Sequence, residues 1–267
     1  MIKINGEIVN INHFPDGALL IKESPLSYWK ENGYQKKITF TWLFENNEEF
    51  MTLIYLTQHF RSHGFNEIHL NMPYIINARQ DRVKHTGDVF TLKYFAEVIN
   101  WLGFNSVTVL DPHSSVSEAL IDRIVIKSPQ NYITHAINNF NPSMLFFPDE
   151  GAMKRYSSMA PMEYAFGIKK RDWETGQIQG LDVAGSVDKI KDGKILIIDD
   201  ICSRGGTFYH SAKKLKELGA KKVYLYVTHC ENTILEGELL TSGLIEKVYT
   251  TNSIFTKEHE KIEVIEL

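Results

Sequence analysis

Lys194-Ile195-Leu196-Ile197-Ile198-Asp199-Asp200-Ile201-Cys202-Ser203-Arg204-Gly205-Gly206-Thr207-Phe208 decides the fold. Ile195 to Ile198 are a continuous apolar run of strand formers, the pattern of a strand buried on both faces. Two adjacent carboxylates follow, then a small, flexible turn from Ser203 to Thr207, then a helical pattern over His210–Gly219. Backbone N–H groups of a glycine turn that leads into a helix form a nest for an anion. Asp199 and Asp200 would repel phosphate, but they can accept hydrogen bonds from sugar hydroxyls or hold Mg²⁺ indirectly. Acids for hydroxyls beside a nest for phosphate describe a sugar-phosphate site.

The same strand–helix alternation extends outward from this stretch. Ile68–Tyr74 and Ser106–Asp111 read as strands, and so does Lys222–His229. Phe90–Gly103 places Leu92, Phe95, Ala96, Ile99 and Leu102 on one helical face, with Gly103 as the stop. Such units imply parallel sheets with right-handed crossovers. Leu102-Gly103, Val107 and His113 recur 116 residues later as Leu218-Gly219, Val223 and His229. That periodicity favours two duplicated domains.

Composition narrows the function classes. The 267 residues are 43% hydrophobic and 23% charged, enough apolar mass for a sizeable core. A net charge of −4 argues against nucleic acid as partner. Cys202 and Cys230 imply neither a disulfide framework nor a metal-ligand spacing. With no signal-peptide pattern and no membrane-length apolar run, a cytoplasmic protein is expected. Cys202, inside the acidic loop, reads as a small semi-buried hydrophobe rather than a reactive thiol.

Two further sets of residues carry chemistry at strand ends, where open α/β sheets bind ligands. Asn77–Arg82 (NARQDR) brings two arginines, whose planar forks suit phosphate and can stack on a base. Asp111-Pro112-His113 and Phe146–Arg155 each set an acid or a histidine behind an apolar strand, and Asp149 reads as a metal-facing carboxylate.

Taken together these residues resemble the ribose-phosphate diphosphokinases, or PRPP synthetases, over most of the chain. That family's ARQDR loop is similar to Ala78–Arg82, and its D-x-H segment to Asp111–His113. Its S-P-D-x-G-G-V-x-R segment is similar to Phe147–Arg155, its K-R-R flexible loop to Lys169-Lys170-Arg171, and its V-D-D-x-x-D-T-G-G-T loop to Ile198–Thr207. His13–Gly17 (HFPDG), Val227–Cys230 and Thr250–Ile254 match further family segments, all in the same order.

The resemblance implies an α/β fold of two tandem phosphoribosyltransferase-like (Rossmann-like) domains with parallel sheets. These are expected at residues 1–130, on the ATP side, and 131–267, on the ribose-phosphate side. It implies Mg²⁺-dependent transfer of the β,γ-diphosphate of ATP to an anomeric hydroxyl, with release of AMP. Phe14 and Asp16 would hold adenine, often across a subunit boundary, so a homo-oligomer is expected. Arg79, Gln80, Asp81 and Arg82 would bind ATP. His113 and Asp149 would organise Mg²⁺. Lys169, Arg171 and His113 would serve catalysis, the first two from a mobile polar segment, Ile168–Gly180, that closes over the transferring group. Asp199 and Asp200 would meet ribose hydroxyls, and Ser203, Arg204, Gly205, Gly206 and Thr207 the 5-phosphate.

The sequence also departs from the family pattern. Ser203-Arg204 replaces Asp-Thr in the phosphate turn, losing an acid and gaining a guanidinium. An added guanidinium suits a longer anion, such as a 5-diphosphate. The acceptor is then ADP-ribose, as in a branch of the family associated with NAD rebuilding. Otherwise Arg204 faces solvent and the acceptor is ribose 5-phosphate. The reading leans slightly to ADP-ribose. Ala18 replaces a family glutamate, Ala152-Met153 replaces Gly-Val, and the chain ends at IEVIEL where the family carries a further helix. A phosphoribosyltransferase or a non-catalytic regulatory homologue are the alternatives. The first would not need the Asn77–Arg82 loop, and the second is expected to lose Lys169, Arg171, His113 or Asp149.

Overall fold

The computed structural model describes residues 1–22, 29, 31, 37–171 and 178–267. The chain divides into two compact units, Met1–Lys127 and Ser128–Leu267.

The first unit is built on a six-stranded sheet. Its strands are β1 (Ile2–Ile4), β2 (Glu7–Ile8), β5 (Lys37–Trp42), β6 (Glu67–Asn71), β7 (Ser106–Leu110) and β8 (Ile124–Lys127), in the order β2-β1-β5-β6-β7-β8. From β5 to β8 all pairings are parallel. β3 (Asn10–His13) and β4 (Leu19–Lys22) form a separate antiparallel hairpin. Helices α1 (Glu48–Ser62) and α2 (Thr91–Leu102) supply Leu53, Leu56 and Phe60, and Leu92, Phe95, Ile99 and Leu102, to one core with the strands. Gly103 ends α2 in the left-handed region (φ 68°), as its place in the sequence predicts. The short helix α3 (Val116–Leu120) follows β7.

The second unit carries a seven-stranded sheet in the order β11-β10-β9-β12-β13-β14-β15. Its strands are β9 (Met144–Phe147), β10 (Tyr164–Arg171), β11 (Ile178–Gly185), β12 (Lys194–Cys202), β13 (Lys222–Cys230), β14 (Lys247–Thr251) and β15 (Ile262–Ile265). Only the β10–β11 pairing is antiparallel. Helices α4 (Gln130–Phe140) and α5 (Glu150–Tyr156) pack on one face, against Leu196 and Ile198. α6 (Gly206–Glu217) packs on the other, where Phe208, Ala212 and Leu215 meet Ile195 and Ile197. Covered on both faces, β9 and the first part of β12 become uninterrupted apolar runs, and residues 144–147 and 195–198 are fully buried.

Three boundaries differ from the sequence reading. β12 does not stop at Ile198: Asp199 to Cys202 continue the ladder against Val227 to Cys230 of β13, so both acids lie within the strand. α6 starts at Gly206 rather than His210, because Gly205 already supplies its left-handed cap. The basic segment expected to be mobile is β-structure up to Arg171, where Lys169 pairs with Leu181 and Arg171 with Ile178 across a register shift at Lys170/Arg171. Residues 172–177, with Trp173, lie outside the described residues.

The repeated histidine also divides. His113 sits in the loop beyond β7, whereas His229 is buried within β13, its Nδ1 2.8 Å from Ser253 Oγ. Its recurrence in sequence is not a recurrence of place.

Ile197→Ala removes a fully buried side chain between the sheet and α6. It should cost about 2–5 kcal/mol in a urea titration.

Candidate functional site

The second unit's chain reverses direction across its sheet between β9 and β12. From β9 it proceeds to β10 on one side, and from β12 to β13 on the other. At such a switch point the loops leave in opposite directions and open a crevice beyond the C-terminal strand ends. Asp149 follows β9 and the Asp199-Asp200 pair lies in the last four residues of β12, so the carboxylates border this crevice.

Asp149 is the N-cap of α5, its Oδ1 accepting from Ala152 N at 3.1 Å. Adjacent residues of a strand alternate faces. Asp200 falls on the face of Leu196 and Ile198, where Arg155 of α5 meets it with Nη1 3.2 Å from Oδ2. Asp200 is buried, and the guanidinium neutralises a charge that would otherwise be costly there. Asp199 accepts from the Asp200 amide through Oδ1 at 2.9 Å. Burial first, and then the Asp200 charge, push the Asp199 carboxyl well above the usual carboxylate range, with Asp149 adding to the effect. This carboxylate lacks full compensation within the protein. A ligand hydroxyl or a cation would supply it.

The turn beyond leads straight into the N-terminus of α6. Gly205 has φ 81°, and a Cβ there would come within 2.9 Å of Leu239 Cδ2, so both backbone and packing require glycine. Gly206, the first residue of α6, has open space where a Cβ would be, and it and Thr207 are exposed. Arg204 projects into solvent and pairs with Glu236, Nη2 to Oε2 at 3.1 Å, with side chains 74% and 58% exposed. Ser203 is half-buried, and its carbonyl accepts from Cys202 Sγ at 3.3 Å. The Cys202 thiol is fully buried. Its hydrogen bond with Cys230 and its burial push it well up, which is the condition of an inert core thiol.

In the first unit the loops after β6 and β7 come together. Asn77, with φ 63°, turns the chain out of the strand region, and Gln80 N bonds to its carbonyl at 2.9 Å. The Arg82 guanidinium grips Asp81 with two bonds, Nε–Oδ1 at 2.7 Å and Nη2–Oδ2 at 2.9 Å. Those bonds hold the buried Asp81 carboxyl down at about 2, with the Ser114 hydroxyl and nearby His113 adding to the effect. Gln80 Oε1 accepts from Thr91 Oγ1 at 2.8 Å, and Arg79 is exposed. Arg82 and Gln80 therefore already have protein partners, whereas the sequence reading gave both to ATP. Phe14 is 49% exposed at the β3–β4 turn, which Asp16 ties by accepting from Ala18 N at 3.0 Å. Lys169 and Arg171 lie on β10; their side chains are outside the described residues.

Two site residues escaped sequence reasoning. Arg155 stands at the end of a quoted motif and Ser114 directly after another. Their roles depend on contacts across elements, which no local spacing encodes.

The family model described as the phosphoribosyl synthetase-associated domain matches residues 176–267. A ribose-phosphate pyrophosphokinase of Thermococcus kodakarensis is 27% identical over 93% of this chain and 86% of its own length. One of Pyrococcus abyssi is 26% identical over 99% and 91%. The crystal structure of phosphoribosylpyrophosphate synthetase from Mycobacterium smegmatis superposes with a TM-score of 0.73 at 19% identity. It covers 97% of this chain and 86% of that one. The chain is similar to the ribose-phosphate pyrophosphokinases over nearly its whole length. Its fold is the α/β fold of that structure, with largely parallel sheets. Among the described residues no helix is long and apolar enough to cross a membrane.

Two tests follow from the geometry. Gly205→Ala should cost about 1–3 kcal/mol through backbone strain. Gly206→Ala should leave the melting temperature unchanged or higher, because its site is open and helical. The Asp81–Arg82 pair has a folded carboxyl held below its ordinary value near 3.8. Its contribution to stability is therefore fully present above about pH 4 and lost as the pH falls toward 2. Acid unfolding of Arg82→Ala should lack that step.

Proposed function

We propose that the protein moves the β,γ-diphosphate of ATP to the anomeric hydroxyl of a ribose 5-phosphate moiety, with ADP-ribose the favoured acceptor. The observation that carries the reading is the end of β12. An under-compensated carboxylate, Asp199, stands near the end of β12, six residues before an anion nest at Gly205–Thr207, beside the switch point of a parallel sheet. Similarity to relatives named ribose-phosphate pyrophosphokinases supports the diphosphotransfer chemistry.

In this reaction the anomeric hydroxyl oxygen attacks the β-phosphorus, giving up its proton to solvent, and the bond from that phosphorus to the bridging oxygen of AMP breaks. AMP leaves with the electron pair. Such a displacement depends on positioning and charge neutralisation more than on a protein nucleophile. Asp199 and Asp200 accept from the pentose hydroxyls and fix the sugar. The amides of Gly206 and Thr207, at the N-terminus of α6, hold the 5-phosphate. Arg155 keeps Asp200 in place as its counter-charge. Phe14, Asp16, Arg79, Gln80, Asp81 and Arg82 are assigned to ATP by resemblance, His113 to Mg²⁺ and catalysis, and Lys169 and Arg171 to the transferring group.

Mg²⁺ fits the donor chemistry at Asp149, a hard carboxylate oxygen, better than at His113, a nitrogen donor. Among the described residues no group of three or more His, Cys, Asp or Glu side chains could hold a metal ion. The ion would therefore enter on the ATP phosphates and use protein carboxylates as a supplement. When bound, it neutralises phosphate charge.

Arg204 faces solvent, as the ribose 5-phosphate alternative expects, yet its partner leaves it available to a longer acceptor. Its exposed pair with Glu236 is of the kind that contributes little to stability. A second phosphate can take the guanidinium at small cost, with stronger charge-assisted bonds.

The direct test incubates the protein with Mg·ATP and either acceptor and measures AMP and the diphosphate product by mass. Product mainly from ADP-ribose is expected. Product from ribose 5-phosphate alone would leave Arg204 incidental, and AMP from neither would overturn the enzyme reading. Asp199→Asn should lower kcat/KM for the acceptor about 10–100-fold, the weight of a hydrogen bond to a charged group. It should also raise the melting temperature of the ligand-free protein at neutral pH, because the ionised carboxylate is disfavoured by its surroundings.

A further inference from the structure

A cavity of about 360 Å³ opens on the second unit beside α6, lined by Tyr209, Lys213, Glu238, Thr241, Ser242 and Leu244. Its volume lies at the lower end of the range for small-ligand sites. Three of its polar groups have no partner among the described residues: the Tyr209 hydroxyl, the Lys213 ammonium and the Glu238 carboxylate. Lys213 and Glu238 border one cavity without forming an ion pair.

The cavity borders the segment that packs on the phosphate turn. Its wall at Glu238 lies between Gly237, where a Cβ would overlap the Arg204 carbonyl, and Leu239, which packs on Gly205. Along α6, Tyr209 lies about 4.5 Å beyond Gly206 and Lys213 about 10 Å, at the helical rise per residue. An acceptor whose 5-phosphate sits on the turn, and which continues through a second phosphate into a nucleoside, spans a length of that order.

We propose that this cavity holds the nucleoside half of the acceptor, a subsite that ribose 5-phosphate leaves unfilled. The proposal rests on the extended-acceptor reading above. Arg204 leaves Glu236 for the diphosphate, and Lys213 adds a second cation to it. The Tyr209 ring and Leu244 receive the base. Glu238 accepts from the nucleoside's ribose hydroxyls. The Thr241 and Ser242 hydroxyls already donate to the carbonyls of Glu238 and Leu239, so they offer only acceptor lone pairs.

Binding, rather than turnover, tests the subsite. The full chain is titrated calorimetrically with ADP-ribose and with ribose 5-phosphate, as wild type, Tyr209→Ala and Lys213→Glu. Lys213 is exposed, so its variant keeps the test valid if Tyr209→Ala fails to fold. ADP-ribose should bind the wild type at least about tenfold more tightly than ribose 5-phosphate. Each variant should collapse that ratio. An equal affinity of the wild type for the two ligands, or a ratio unmoved in Lys213→Glu, overturns the proposal. ADP-ribose bound as described, with no AMP released from ATP, would sustain the cavity and remove the diphosphotransfer reading instead.

Discussion

The site depends on burying carboxylates near the end of a strand, directly behind four apolar residues. Four fully buried aliphatic residues fix the position of β12 between two helical layers. The pleat then delivers Asp200 to the face of α5 and Asp199 to the crevice. Neither acid can retreat to water without breaking the ladder with β13. Arg155 compensates one of them within the protein, and the other is left to a ligand. In the proposed function that division becomes a recognition device: the disfavoured Asp199 carboxylate would be relieved by hydroxyl donors or a cation.

Much of the fold was legible because periodicity and caps act locally. The face formed by Leu92, Phe95, Ile99 and Leu102, closed by Gly103, gave α2 within a residue at each end. The apolar run Ile195–Ile198 announced a strand buried on both sides. The strand's true end was hidden, because acids normally close strands. Here β13 runs on to Cys230 and carries β12 with it. The His113/His229 recurrence misled for a related reason. A buried histidine satisfied by Ser253 and a loop histidine beside Asp81 look alike until their neighbours are known.

The candidate site was legible as residue types and much less as partnerships. Asp199, Asp200 and the glycine turn stand where the motif placed them, but the sequence could not show that Arg82 is held by Asp81, or Arg204 by Glu236. Arginine's long side chain makes its partner a tertiary fact. The two pairs also differ in consequence. Arg82 grips a buried carboxylate with two bonds, so it sets the shape of its loop. Arg204 holds an exposed one with a single contact, so it remains able to exchange partners.

The central claim is that the end of β12 and the start of α6 form one pentose-phosphate site. A crystal structure of the protein with ribose 5-phosphate tests it most directly. The account predicts the phosphate on the amides of Gly206 and Thr207 and the pentose hydroxyls on Asp199 and Asp200. A phosphate bound elsewhere, with Asp199 facing only water, would contradict it.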